Sequence, residues 1–196
     1  MKPIASKKIL LRRLGGLYAR MDAAYAEAAA RLGLDCSGCA TNCCGGFFQH
    51  HTYIEWLYLA QGLAELPDDQ RARFLAKAAA NVEQAKAMTA QGLLPEIMCP
   101  LNEDGRCALY GHRLMICRLH GVPNILRSPR GVREFRGCHR ARVRVSAGAP
   151  EQAMDRTPLY RDLAALEMAL LGAKARSLPR VDLTIAEMLN HGPPAL

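Results

Sequence analysis

The sequence predicts a mainly α fold: a helical single domain over residues 1–196 with an irregular, cysteine-rich metal-binding lobe at about residues 36–138. Three observations predict it. Apolar residues recur at helical spacing in five segments, and capping and stop residues bracket those segments. All eight cysteines fall outside the long helices, in two stretches broken by glycine and proline. A chain of 196 residues suffices for one sizeable core.

Leu17, Met21, Ala24, Tyr25, Ala28 and Leu32 form the first apolar stripe, giving a helix over 17–33 that Gly33 stops. Gly15 and Gly16 are read as separating it from a basic lead-in. The second helix, 52–62, opens with Thr52 and Glu55 at capping-box spacing and carries Ile54, Leu57 and Tyr58. The third, 67–91, has Pro67 at its start and Gly92 at its exit. From residue 93 to about 149 the periods shorten and the reading is irregular, with Asn102 to Gly105 a tight turn. A helix over 157–173 follows, with Thr157 as its cap and Pro158 in its first turn. The last, 184–190, has a capping box at Thr184 and Glu187 and stops at Gly192. The chain has no internal repeat.

Half the residues are hydrophobic and 22% are charged, which excludes a disordered chain. No apolar run reaches the roughly 18 residues of a membrane span, so no membrane partner is expected. The apolar patch near the start, Ile9 to Leu11, is too short for a secretory signal, and the reading is a cytoplasmic protein. In that reducing compartment eight cysteines are thiols, which points to metal or redox chemistry. The formal charge is +8, but metal-bound thiolates would offset much of it, so the charge alone is a weak argument for nucleic acid. Glycine-rich phosphate loops, nucleophile elbows and His-Glu-x-x-His motifs are all missing.

The candidate metal ligands are Cys36, Cys39, Cys43, Cys44, Cys99, Cys107, Cys117 and Cys138. Cys36-x2-Cys39 is a chelating unit: two intervening residues let the backbone fold over a metal with N–H groups aimed at sulfur. A disulfide framework fits poorly, since the Cα atoms of Cys43 and Cys44 sit about 3.8 Å apart, below the usual reach of a bridge. Neighbouring side chains diverge, so Cys43 and Cys44 are expected to serve different partners: two metal sites, or separate irons of one cluster. Gly45 and Gly46 allow the chain to turn sharply beside them.

These residues resemble a known family. The segment from Cys36 to Cys44, Thr52 and Glu55, and then Cys99, Pro100, Cys107, Tyr110, Arg113, Cys117 and Arg118 are similar to the zinc- or iron-chelating CxxCxxCC proteins, the YkgJ-like cysteine-cluster family. Cys138 matches a further downstream cysteine of that pattern. The resemblance covers about half the chain. It departs from the family in the three residues Ala40 to Asn42, where two are usual, and in Leu114, which stands where proline is usual. It implies metal binding; a flagellin lysine methylase among the relatives implies that some members act in methyl transfer.

Zinc and iron–sulfur clusters both accept four thiolates. Tight spacing at a glycine-rich loop and the Cys99-Pro100 pair favour a 4Fe–4S cluster, with zinc as the alternative. His50, His51, His112, His120 and His139 lie near the cysteines as substitute ligands or hydrogen-bond donors. His191 is read as a helix-end cation. The basic run through Arg127, Arg130, Arg133, Arg136, Arg140, Arg142 and Arg144 is a solvated face, or a surface for an anionic ligand or nucleic acid. Arg113 and Arg118, upstream of the run, and Arg133 and Arg136 within it are the candidate anion-binding residues. The expected function is an accessory, storage or transfer role in metal binding. A cluster-dependent enzyme of methyl transfer or redox chemistry, and an anion- or nucleic-acid-binding module with structural metal, are the alternatives. Whether the protein is an enzyme, which substrate or protein partner it meets and how many centres it holds stay open at this point.

Overall fold

The computed structural model describes residues 6–36, 39, 43–147 and 153–196. The spacer Ala40 to Asn42, the middle of Cys36-x2-Cys39 and the first five residues lie outside the described residues. In chain order the elements are α1 (Lys7–Arg31), α2 (Tyr53–Ala64), α3 (Asp68–Ala90), β1 (Asn102–Glu103), β2 (Arg106–Cys107), α4 (Met115–Leu119), β3 (Asn124–Ser128), β4 (Gly131–Phe135), α5 (His139–Ser146), β5 (Met154–Asp155), α6 (Thr157–Leu171) and α7 (Ile185–His191). Short 3-10 turns occupy Cys43–Gly45, Tyr110–His112 and Gly172–Arg176. The fold is mainly α, as the periodicity predicts. Among the described residues no helix is long and apolar enough to cross a membrane.

The chain divides into two compact units, each assembled from two segments: residues 1–43 with 115–172, and residues 44–114 with 173–196. In the first unit, α1 buries Leu10, Leu14, Leu17, Tyr18, Met21 and Ala28 and packs against α4 and α6. The expected start at residue 17 is corrected to Lys7, where Ser6 accepts a capping bond from the Ile9 N–H. Gly15 and Gly16 cost about 1 kcal/mol each in a helix interior, but burying Leu10 and Leu14 returns about 1.5–3 kcal/mol apiece. The helix ends as predicted. Gly33, at φ 58°, lets the Leu34 N–H reach back to the Ala29 carbonyl, closing a Schellman motif.

The same unit holds a three-stranded sheet in the order β4-β3-β5. Strands β3 and β4 form an antiparallel hairpin, and β5 pairs parallel with β3. The reading of residues 93–149 as irregular is corrected here. Four of the five β4 residues are exposed, so the segment lacks the apolar alternation that marks a strand in sequence. The cap of α6 also shifts by one residue. Arg156 takes the N-cap position, Thr157 is the first helical residue, and Asp155 accepts from the Thr157 N–H at 2.9 Å. Thr157 instead accepts from the Arg127 N–H at 2.8 Å, tying the helix start to β3.

In the second unit, α3 packs along α7, and Phe74, Ala78, Val82, Ile54, Leu59 and Met188 are buried. Tyr53 and Trp56 anchor α2 to the C-terminal segment by donating to the carbonyls of Pro179 and Met188, at 2.9 and 3.1 Å. The expected box at Thr52 and Glu55 takes another form: the Thr52 hydroxyl donates to the Glu55 carboxylate at 2.8 Å, with no side-chain bond to the helix N–H groups. At Thr184 and Glu187 both halves of the box are present. Asp104 and Gly105 have φ of 50° and 82°, the left-handed pair that a two-residue hairpin turn requires. The turn predicted at Asn102 to Gly105 therefore joins β1 to β2.

Candidate functional site

None of the eight cysteines is disulfide-bonded. Cys36, Cys39, Cys43, Cys117 and Cys138 belong to the first unit, and Cys44, Cys99 and Cys107 to the second. The boundary falls on the peptide bond between the adjacent cysteines 43 and 44.

In the first unit the Schellman turn at Gly33 brings the chain back along α1, and the Tyr25 hydroxyl comes to 3.6 Å from the Cys36 sulfur. Burial, the hydrogen bond to Cys36 and the charges of Cys36, Cys138 and Cys43 hold the Tyr25 phenol well above its usual range. Three thiols thus bear on one hydroxyl. Cys138 is set by its backbone: its N–H donates to the Gly121 carbonyl at 2.9 Å, and it is the N-cap residue of α5. A Cβ on Gly121 would lie 2.6 Å from the Tyr25 oxygen, and one on Gly137 would lie 2.7 Å from the Gly121 carbonyl. With φ of 119° and 81°, both positions favour glycine on backbone grounds as well. Cys117 sits half-buried on α4.

The second unit has its own set. The Cys99 N–H donates to the Cys44 carbonyl at 2.9 Å, and the β1–β2 hairpin sets Cys107 opposite Asn102, whose N–H donates to the Cys99 carbonyl at 3.0 Å. Burial pushes the Cys99 thiol up to about 12, and the charges of Cys107 and Cys44 push in the same direction. The Leu101 N–H, hydrogen-bonded to Cys99, pulls the other way. An N–H two residues after a cysteine and aimed at its sulfur is the arrangement that favours a bound thiolate.

Among the described residues no three His, Cys, Asp or Glu side chains stand together closely enough to hold a metal ion. The donors fit zinc or an iron–sulfur centre in chemistry: soft sulfurs, free of disulfides, gathered in two sets with an N–H and a hydroxyl directed at sulfur.

The other candidates are placed as follows. His50 is buried in the second unit, bridged by backbone bonds to Leu183, and its Nδ1 has no partner among the described residues. His51 faces Asp182 at 3.3 Å, His112 lies tilted by 38° against the Tyr58 ring, and His191 meets the Trp56 ring edge-on. His120 lies against Phe135, where burial lowers its pKa. Arg113 lies 3.6 Å over the Tyr110 ring in the second unit. Arg118 is buried in the first, bonded to Asp22 at 2.5 Å and stacked over Tyr18. Arg133 is exposed on β4, and Arg136 is exposed just beyond it.

Two residues that the sequence reading passed over belong here. Tyr25 gives the same signal as any core aromatic on a helical stripe, and Arg156 is isolated in sequence from the basic run. The chain matches no protein-family profile, no curated protein and no solved structure.

Proposed function

We propose that this protein binds metal through its cysteines, as the YkgJ-like resemblance implies, at two centres of iron–sulfur (4Fe–4S) or zinc, in an accessory, storage or transfer role in the reducing cytoplasm. The observation that supports it most is the allocation of the adjacent cysteines: Cys43 bears on Tyr25 together with Cys36 and Cys138, while Cys44 bears on Cys99 together with Cys107. Each set offers at least three sulfurs.

Bound metal supplies the positive charge that keeps the thiols deprotonated. The chain supplies the rest. Leu101 directs its N–H at Cys99, and Tyr25 directs its hydroxyl at Cys36. Gly121 and Gly137 hold Cys138 by its backbone while leaving room for the tyrosine.

Anaerobic purification with metal and acid-labile sulfide analysis tests the reading. A brown protein absorbing at about 400 nm identifies iron–sulfur, and a colourless one with bound zinc identifies the alternative. The double variants Cys36→Ser/Cys138→Ser and Cys99→Ser/Cys107→Ser should each lose half the metal and keep the other half. A wild-type protein that takes up no metal on reconstitution, with all eight thiols open to alkylation, overturns the proposal. Loss of all metal in both double variants overturns the assignment of two centres.

A further inference from the structure

Strand β3 lies between β4 and β5, and its Leu126 stands opposite Arg133 of β4. On the other side, Asn124 pairs with Met154 and Ile125 with Asp155. The same parallel register brings Arg156 beside Leu126, with the Arg156 N–H donating to the Ile125 carbonyl at 3.0 Å. Residues directly opposite one another across a sheet project from one face. Arg133 thus stands opposite Leu126 on one side of β3, and Arg156 follows the end of β5 on the other, about 10 Å apart at the backbone by two strand spacings.

This pair has no counter-charge among the described residues. Arg156 is half-buried, and its Nε is enclosed with no hydrogen-bond partner. The carboxylate next to it in sequence, Asp155, is held by Arg127 at 3.4 Å and by Thr157. Asp162 of α6 is paired with Arg20. Burial lowers the Arg156 pKa, and the charge of Arg133 lowers it further against the opposing effect of Tyr160. A half-buried guanidinium with an unpaired N–H and a second guanidinium beside it is an arrangement that a bound anion would relieve.

We propose that Arg133 and Arg156 form a binding site for a phosphate group, as the free ion or carried by a small phosphorylated molecule. Each guanidinium offers a planar fork of donors matched to tetrahedral oxyanions; Arg133 sits on the paired strand β4, and Arg156, one residue past β5, is held by its N–H bond to the Ile125 carbonyl. Leu126 between them lends an apolar floor that strengthens charge-assisted bonds. A polynucleotide is the less favoured ligand, because Arg127 on the opposite face is occupied by Asp155 and only Phe135 offers a ring for stacking on this hairpin.

Calorimetric titration of the full chain with inorganic phosphate, and separately with a simple alkyl phosphate monoester, tests the site at constant ionic strength. Saturable binding of one phosphate per chain is expected. Arg133→Gln, at an exposed position that leaves the fold intact, should weaken binding at least about tenfold. Arg142→Gln, an equally exposed change on α5, should leave it unchanged. Tighter binding of the monoester identifies a phosphorylated molecule as the ligand, and tighter binding of the ion identifies free phosphate. Binding that does not saturate, or that falls equally in both variants, overturns the site. So does affinity for a short single-stranded oligonucleotide, reduced by Arg142→Gln as much as by Arg133→Gln, without phosphate binding.

Discussion

Protonation of His50 should destabilise the protein in mild acid. The imidazole is 1% exposed, and burial together with the neighbouring charge of His51 lowers its pKa from 6.5 to about 4. In the unfolded chain it titrates at the ordinary value, so between these two values the unfolded state binds the extra proton. Stability then rises with pH. The contribution is undiminished above about pH 6.5 and falls steadily as the pH drops toward 4. The whole shift corresponds to about 3 kcal/mol, of which about 2 kcal/mol is lost between pH 7 and pH 5. Urea unfolding of wild type and His50→Gln at those two pH values isolates the effect, because titrating carboxylates contribute equally to both proteins. The variant will be less stable at pH 7, since it exchanges a well-packed ring, but its loss between pH 7 and pH 5 should be smaller by about 2 kcal/mol. Equal losses in the two proteins would refute the burial argument, and with it the placement of His50 beneath the bridge to Leu183.

Two further perturbations probe the first unit. Tyr25→Phe removes the hydroxyl at 3.6 Å from Cys36 while keeping the ring. In metal-loaded protein it should speed chelator-driven release of the first unit's metal by about 10-fold, as loss of a hydrogen bond to a ligand does, and leave the other half of the metal unchanged; uniform release would reject the role. Arg118→Ala removes a guanidinium that is buried against Tyr18 and paired with the half-exposed Asp22. It should cost about 2–4 kcal/mol in denaturant unfolding, with Arg118→Lys recovering only part; a cost below about 1 kcal/mol would mean that the pair behaves as a surface ion pair.

Helices α1, α2, α3, α6 and α7 were legible because each carries a stripe repeating at 3.6 residues that must be buried; α4 and α5, of 5 and 8 residues, lie in the stretch read as irregular and are too short to show that period. Where local signals and tertiary burial disagreed, burial prevailed: Gly15 and Gly16 look like breakers, yet Leu10 and Leu14 on the same face carry α1 through them. The sheet was not legible. Strand β4 is held by its backbone pairing with β3 and exposes most of its side chains, and β5 is two residues long. Of the candidate site, the cysteines stood out by number and spacing. Their allocation did not. Cys117 joins the first unit because α4 packs on α1 through Arg118 and Asp22, a pairing across 96 residues that no local pattern announces. Tyr25 and Arg156 were hidden for the same reason, since each matters through a neighbour brought up from far along the chain.

The position of the Cys43–Cys44 bond gives the proposed centres a shared consequence for folding. A centre that joins Cys43 to Cys138 closes a loop of about 95 residues in the first unit, and one that joins Cys44 to Cys99 closes about 55 in the second, by the sequence positions. Closure entropy grows only with the logarithm of loop length, so the two differ by about 0.5 kcal/mol. The first centre would also tie together the two segments of its unit, 1–43 and 115–172, whereas Cys44, Cys99 and Cys107 all lie in the segment 44–114 of the second. Had both cysteines served the first unit, the second would keep only Cys99 and Cys107. Adjacent thiols at the crossing point place one ligand in each unit with a single stretch of glycine-rich chain, and that is a reason for a sequence to spend two cysteines on neighbouring positions.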